Sequence, residues 1–378
     1  MAISKKIESI AAARLETGKL SSATWSFGGS CIISLGAATQ FPYLEIDPKV
    51  ENELIDDDSI DGVSHKDLPV QKSHKMNLNS LTGKVKYDGI DFLWYWMFGY
   101  EDGGSSPQGP VNTSYYTHLF EMDKYERHFA PYRTAEQTAA DYNSTDRKNR
   151  FMTMAYKRAT NDYRLRHLLC SGWDFESSAD SGDVKFTGKG TAYKEDRGNY
   201  GSSTWTLPSA LQGGSLNVLH RHLTVSYKEH GGDYATLGVK SVKIGCEIPL
   251  DGQIDNASGL YIAEPVQNAP YNYNISMVLT RHTADTWHAY RDAFSTDLAM
   301  KFVWATGYYQ FGLYLPCARI KDAFASMDDV SNIPIEIVTK YETPDQFVTE
   351  LGSHDTIQNG NIFLMTKNQN DTNEMRRE

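Results

Sequence analysis

The stretch 78–99, LNSLTGKVKYDGIDFLWYWMFG, combines two hydrophobic patterns. Its first half alternates, with Leu81, Val85 and Tyr87 on one face and polar residues between them. An alternation with period two predicts a half-buried strand. After an Asp-Gly break, residues 90–98 are mostly aromatic or long apolar side chains, without Gly or Pro. This second pattern predicts a short helix that is buried almost all round.

A second copy of these patterns lies at 273–294, YNISMVLTRHTADTWHAYRDAF. It alternates through Ile275, Met277 and Leu279, breaks at polar residues, and continues into a predicted helix that carries Tyr290. The tripeptide Pro-Val-Gln precedes both copies. Tripeptide, strand, break and aromatic helix in the same order predict an internal duplication.

Short alternating or apolar segments bounded by turn residues predict further strands. These segments are 151–159, 163–175, 184–193, 218–227, 239–248, 302–306, 308–320 and 333–341. Strands greatly outnumber helices, and their spacing indicates sandwiches or barrels. We therefore predict a mainly β fold of two tandem β-barrel or sandwich domains, each with a short helix packed on its sheet.

The remaining segments set the predicted domain boundaries. The predicted order is an N-terminal arm, helical or flexible, then two domains and a polar C-terminal tail, at 1–24, 25–200, 201–350 and 351–378; disorder is predicted from residue 366. Within the first domain, the acidic, turn-rich stretch 44–67 predicts a long exposed loop. The polar stretch 121–150 predicts an insertion.

Charge and hydropathy exclude two classes of partner. The chain has 37 basic and 48 acidic residues, a net charge of −11, and no basic cluster beyond Arg376 and Arg377. A protein that grips nucleic acid needs clustered Lys and Arg, so tight DNA binding is not expected. The longest nearly apolar run, 92–100, is far shorter than the roughly 20 residues of a membrane helix. With no signal-peptide core, we expect a soluble protein that stays in the compartment where it is made.

Two pairs of side chains could begin a reactive site. His220 and His222 flank an arginine on a predicted strand and could start a metal site, but no third ligand follows at a fixed spacing. Asp174 and Glu176 share a strand face, as the carboxylates of a glycoside hydrolase would, although solvated strand faces are commonly charged. The structural interpretation is favoured for both pairs.

Two further segments resemble ligand loops only weakly. Residues 187–191, TGKGT, lack the spacing of a phosphate loop and favour a bulged strand or turn. The run Asp56–Asp58 lacks the alternating oxygen ligands of a calcium loop. We predict no catalytic, cofactor or metal site, and no enzyme.

The four cysteines lack metal or redox spacing and are predicted to be free thiols, mostly buried: Cys31, Cys170, Cys246 and Cys317.

The combined pattern resembles the tail tube proteins of long-tailed bacteriophages, in a form with a duplicated domain. The resemblance is best in the second half, through LTVSYKEH, VKSVKIGCEIPL, GLYIAEPV, the second strand–helix unit and YYQFGLYLPCARIKDAF. The first half carries it through SLTGKVKYDGIDFLWYWMFG, YYTHLFEM and YRLRHLLCSGWDF. Together these segments cover roughly residues 25–345. The chain departs from the pattern by its length and by the charged segment 121–150.

The resemblance implies a structural virion protein without a cofactor. Such a protein self-assembles into stacked rings that form the tail tube, and DNA passes through the tube without specific binding. Each domain lends strands to one shared barrel, and the family builds rings from six domain equivalents. Two domains in one chain would close a ring of three chains with pseudo-sixfold symmetry. The implied partners are tape measure, neck or terminator and tail-tip proteins; the implied location is the virion tail, after synthesis in the host cytoplasm.

Two sets of contact residues follow from this interpretation. Subunit contacts are expected at alternating-strand and helix residues of both units: Leu81, Val85, Tyr87, Trp94, Ile275, Met277, Leu279 and Tyr290. Contacts between rings are expected in the acidic loop, at Asp56, Asp57 and Asp58. The acidic excess suits a channel wall that repels phosphates. The alternatives are another tail component, such as a terminator, baseplate ring or tail-associated binding module, or a soluble β-rich enzyme or carbohydrate-binding protein.

Overall fold

The structure is a computed structural model that describes most of the chain. The described residues are 7–15, 39–41, 45–55, 70–105, 115–122, 151–158, 161–200, 205, 216–252, 260–263, 265–280, 284–323, 333–347, 351 and 360–369.

These residues form a mainly β fold with two short α-helices. The strands of the first half are β1 Ile7–Leu15, β2 Thr39–Phe41, β3 Glu45–Ile55, β4 Val70–Lys84, β5 Gly99–Ser105, β6 Tyr116–Met122, β7 Met152–Arg158, β8 Asn161–Ser178, β9 Val184–Ala192 and β10 Lys194–Gly198. Those of the second half are β11 Leu223–Glu229, β12 Ala235–Leu237, β13 Val239–Glu247, β14 Leu250–Asp251, β15 Val266–Gln267, β16 Asn272–Leu279, β17 Leu298–Thr306, β18 Tyr309–Ala323, β19 Ile333–Thr339 and β20 Phe363–Asn368. The helices are α1 Asp91–Phe98 and α2 Ala284–Asp292.

The predicted β class and the buried aromatic helix are both confirmed. Every residue of α1 is buried, and Gly99, with a φ of 100°, ends the helix in the left-handed region that glycine adopts without strain. Trp96 on this helix donates a hydrogen bond from Nε1 to the carbonyl of Leu168, 3.0 Å away. The indole is thereby fixed against β8, deep in the core.

Three segments that the sequence placed outside the β structure are strands. Part of the predicted N-terminal arm is β1, which pairs with β7. Part of the predicted loop 44–67 is β3, which pairs along its length with β4. Part of the predicted polar tail is β20, which lies between β6 and β18. In each case pairing to a neighbouring strand overrides a local composition that favours helix or loop.

The two halves of the chain have the same strand topology. In the first half, β2–β1–β7–β8–β10 are neighbours in that order, and β8–β9–β4–β3 continue from β8. In the second half, β12–β11–β17–β18–β20 and β18–β19–β16–β13 repeat this order. The helix follows β4 in one half and the corresponding β16 in the other. Only the hairpins β5–β6 and β14–β15 have no counterpart among the described strands.

One antiparallel joint connects the two halves of the chain. The C-terminal part of β8 pairs with β13, from Gly172 opposite Glu247 to Ser178 opposite Ser241. A continuous ladder β3–β4–β9–β8–β13–β16–β19–β18 results. The extra hairpin adds a second link, because β6 pairs with β20.

The aromatic core is shared by both halves. Trp94 on α1 packs against Phe175 and Phe186 of the first half and against Phe311 of the second, with ring centroids 5.4–5.6 Å apart. Trp304 of the second half also contacts Phe311. The predicted boundary between residues 200 and 201 therefore does not separate two cores, although it lies between the two topological repeats.

Two buried carboxylates fasten β20 to the start of α1. Asp91 accepts hydrogen bonds from Thr366 Oγ1 at 3.0 Å and from Asn368 Nδ2 at 2.9 Å and 3.0 Å. Asp88 accepts backbone hydrogen bonds from Gly89 and Gln369. Burial first, and the nearby Asp91 carboxylate second, raise the pKa of Asp88 to about 6.

Asp88 should make the fold less stable as the pH rises. Its pKa is higher in the fold than in the unfolded chain, so its protonated form favours folding below about pH 4, and this contribution is lost as the pH rises through about 6. We expect Asp88→Asn to remove most of this dependence and to stabilise the protein at pH 8 by about 2 kcal/mol. Urea unfolding between pH 4.5 and pH 8 measures both effects.

Asp180→Asn is the matched control for this experiment, because Asp180 is largely exposed. It should leave the pH dependence as it is in the parent chain. Equal slopes for the parent chain and the Asp88 variant would contradict the assignment.

Candidate assembly edges and polar sheet face

The eight-strand ladder ends in two open edges. At one end β3 pairs only with β4, and at the other the C-terminal part of β18, residues 319–323, pairs only with β19. No other strand among the described residues pairs with either edge. Open edges present unpaired backbone groups, which are ready to extend a sheet with another chain.

The two open edges correspond to the two strands of the internal joint. By the repeat, β3 is the counterpart of β13, and the C-terminal part of β18 is the counterpart of that of β8. Inside the chain these counterparts pair with each other. The two open edges, β3 and the C-terminal part of β18, are therefore the counterparts of two strands, β13 and the C-terminal part of β8, that pair with each other inside the chain.

The face of the ladder that points away from the core is polar. One row runs across six strands through residues in register: Lys84, Lys185, Glu176, Lys243, Ser276 and Glu336. A second row runs through Glu45, Thr82, Thr187, Asp174, Gly245 and Asn274. Apart from Gly245, these residues are exposed or half-buried, so the ladder offers a broad hydrophilic surface.

Both signs of charge occur on this face. Lysines 84, 185, 189 and 243 alternate with carboxylates at Glu45, Asp174, Glu176, Glu247 and Glu336. Glu336 also forms an ion pair with Lys321, with Nζ and Oε2 2.9 Å apart. The described part of the face is thus mixed in charge, and the acidic excess of the chain is not concentrated there.

Most of the predicted subunit contacts lie in the core of the chain. Seven of them are at most 2% exposed: Leu81, Val85, Tyr87, Trp94, Ile275, Met277 and Leu279. These side chains could contact a second copy only if the core opened. The same alternation places Thr82 and Lys84, and likewise Asn274 and Ser276, on the open face. The apolar face of this alternation is therefore the chain's own core.

The remaining predicted contacts have different outcomes. Tyr290 on α2 is half-buried; it packs against Trp287 and donates a hydrogen bond to Glu229 Oε1 at 3.0 Å. Asp56, Asp57 and Asp58 lie outside the described residues. Their role in contacts between rings stays a prediction.

The structure shows where the two side-chain pairs that could begin a reactive site lie. His220 and His222 lie in a 3₁₀ turn and not on a strand. His220 Nδ1 is 2.8 Å from Ser177 Oγ, and His222 Nδ1 is 3.0 Å from the hydroxyl of Tyr87. Asp174 and Glu176 share the polar face of β8, as predicted. In the described part of the chain, no three His, Cys, Asp or Glu residues come together as a metal site would need.

The weak phosphate-loop match at 187–191 lies within β9. Its glycines, Gly188 and Gly190, let the ring of Trp96 approach the strand, since a Cβ atom at Gly188 would lie 2.7 Å from that ring.

Cys170, Cys246 and Cys317 are buried free thiols, as predicted, and Cys31 lies outside the described residues. No described helix combines the length and the apolar character needed to cross a membrane.

Neither the family models nor the curated proteins compared with this chain give a match.

The sequence did not indicate either edge strand as a candidate for assembly. In β3 the apolar residues are Ile46, Val50, Leu54 and Ile55, interrupted by Pro48 and many charges, so the segment resembles a loop. A strand at a sheet edge is commonly charged and can contain proline, and this was the available signal.

Proposed function

We propose that this chain is a structural subunit that self-associates head to tail and builds the tail tube of a long-tailed bacteriophage. The observation that carries the proposal is the internal joint between β8 and β13, together with open edges of the same two kinds at the ends of the ladder. In the assembly, the C-terminal part of β18 in one copy pairs with β3 of the next. Each new joint repeats the one inside the chain.

The repeat gives the register of the new joint. Ile244 on β13 lies opposite Phe175 on β8. By the repeat, Ile46 corresponds to Ile244. Ile46 pairs with Leu81 of β4 and Ile244 pairs with Ile275 of β16, and these two partners occupy corresponding positions before the helix. Ala323 likewise corresponds to Phe175, because Ala323 pairs with Ile335 of β19 and Phe175 pairs with Phe186 at the corresponding position of β9. In the proposed joint Ala323 of one copy lies opposite Ile46 of the next; because Ala323 is fully buried in the single chain, the joint requires the groups that cover it to move aside. Pro48, which has no N–H, limits the ladder to the start of β3.

A head-to-tail joint of this kind closes into a ring when its rotation divides a full turn. With two repeats in each chain, three copies supply the six repeats of the proposed ring. Closure also removes both open edges, which a monomer would otherwise expose to aggregation. The eight-strand ladders of the copies then form one continuous barrel around a bore.

The polar face supports passage of DNA through that bore. In the proposed ring this face lines the channel, because the opposite face of the ladder is covered by the chain's own core. Carboxylates interspersed with the lysines keep the wall from presenting the cluster of positive charge that holds phosphates. The role is structural and requires no catalysis, and the proposed location is the virion tail. Stacking of rings and contacts with tape measure, neck and tip proteins complete the proposal.

Electron microscopy and light scattering of the purified full chain test the proposal. We expect rings or tubes with an axial channel, and a mass for the smallest ring of three chains. Rings of six chains would contradict the stoichiometry, and a monomer at all concentrations would contradict the function.

A ring that does not stack is the second candidate, as in a tail terminator or baseplate ring. It is favoured by the same observation, because the open edges account for lateral joints and say nothing about stacking. Discrete rings of uniform mass that never elongate would identify this alternative.

A further inference from the structure

The internal joint between β8 and β13 is complementary in charge on its polar face. Glu176 of β8 lies opposite Lys243 of β13. Two residues before Glu176, Asp174 lies opposite Gly245. Side chains directly opposite on antiparallel strands have Cβ atoms about 4.5–5.5 Å apart, so their charges act on each other. At this joint a carboxylate therefore meets an ammonium group at one position and a glycine at the other.

The corresponding positions of the open edge strand β3 carry carboxylates. By the repeat, Glu45 corresponds to Lys243. Asp47 corresponds in the same way to Gly245. Both carboxylates are exposed, and Asp47 Oδ2 accepts a hydrogen bond from the neutral amide of Asn79 at 3.1 Å. The start of β3 thus presents two negative charges where β13 presents one positive charge.

The open part of β18, which faces β3 of the next copy in the proposed joint, adds a further carboxylate. Asp322 corresponds by the repeat to Asp174 of β8. Its Oδ1 atom is buried and has no hydrogen-bond partner among the described residues. The adjacent Lys321 is directed to Glu336 on β19, with Nζ and Oε2 2.9 Å apart. This short segment therefore holds two carboxylates against one ammonium group.

We propose that like charges across the joint between copies hold back self-association until dissolved salt screens them. The inference rests on the proposed function, because it uses the register in which Ala323 of one copy lies opposite Ile46 of the next. In that register Asp322 lies directly opposite Asp47 of the next copy. Like charges that are directly opposite on neighbouring strands weaken the pairing of those strands.

Screening by salt acts on the joint between copies and spares the joint inside each chain. The Debye length falls from about 30 Å at 10 mM salt to about 8 Å at 150 mM, so repulsion between carboxylates at the open edges weakens. The internal joint lacks this opposition and forms with the fold of each chain. The eight-strand ladder is thus complete in every copy while its two ends are kept apart by charge.

Light scattering of the full chain in about 20 mM and about 300 mM sodium chloride tests the proposal. We expect Asp47→Asn to lower the concentration needed for assembly about threefold at low salt and to reduce its dependence on salt. Asp47→Lys should lower this concentration further, because an ammonium group would then lie opposite Asp322. Asp47 is exposed, so neither variant should change the unfolding temperature.

Asp233→Asn is the matched control, because Asp233 is exposed between β11 and β12 and lies on neither strand of the proposed joint. It removes the same charge from a chain whose net charge of −11 also opposes association, so it measures that general effect. Equal assembly concentrations for the Asp47→Asn and Asp233→Asn variants at low salt would overturn this inference and leave ring formation by the parent chain standing. A parent chain that stays monomeric at both salt concentrations would overturn the proposed function and this inference with it.

Discussion

A Lys321→Pro variant is expected to remain a folded monomer at concentrations at which the parent chain forms rings or tubes. Lys321 lies in the open part of β18, at the register shift between Ile320 and Asp322. Proline is tolerated at such bulges, so the cost to the fold should be small. In the proposed joint, however, proline lacks the N–H of the new ladder, and its ring obstructs the approach of β3 from the next copy.

Light scattering against concentration and negative-stain microscopy measure this effect. We expect the concentration needed for assembly to rise about tenfold, from loss of the hydrogen bond donated by residue 321 together with the obstruction by the proline ring. Lys321→Ala is the control; it removes the ion pair with Glu336 but keeps the N–H, and should still assemble. Rings formed by the proline variant at parental concentrations would refute the proposed joint.

The second large effect is expected at Gly190 on β9. A Cβ atom at this position would lie 2.7 Å from Leu168 Cδ1, 2.8 Å from the carbonyl oxygen of Leu169 and 3.2 Å from the ring of Trp96. The carbonyl belongs to the neighbouring strand β8 and cannot move aside without breaking the ladder. We expect Gly190→Val to destabilise the fold by about 3 kcal/mol or more, as overpacking of a core does.

Urea unfolding monitored by tryptophan fluorescence measures this loss, because Trp96 reports on the same contact. Lys189→Ala, at the exposed neighbour on β9, should change stability by no more than about 0.5 kcal/mol. If the valine variant unfolded at the parental midpoint, the close approach of β8 and α1 to Gly190 would be wrong.

The elements predicted well are those whose local pattern matches their environment in the fold. β13 and the C-terminal part of β8 alternate because one face is in the core, and α1 is apolar all round because it is covered on all sides. The repeat of strand and helix was also visible, because α1 and α2 follow corresponding strands. These features follow from local burial, which a single sequence records.

The elements that were missed depend on distant partners. The segment IESIAAARL of β1 favours a helix by its alanines, but pairing with β7 makes it a strand. β3 has few buried residues because its outer edge is open, so its composition resembles a loop. A deletion of 44–67 would therefore remove β3 from the ladder and would not test a loop between rings.

The joint between β8 and β13 joins two modules that one polypeptide tethers together. In the proposed ring, half of the contacts between modules thus form at a high effective concentration, independent of how much protein is present. Only the joints between chains depend on dilution, so assembly can be controlled at one kind of contact. The tether also frees each module to diverge, as the unmatched hairpins β5–β6 and β14–β15 illustrate, and the exterior of such a particle would alternate between two different surfaces.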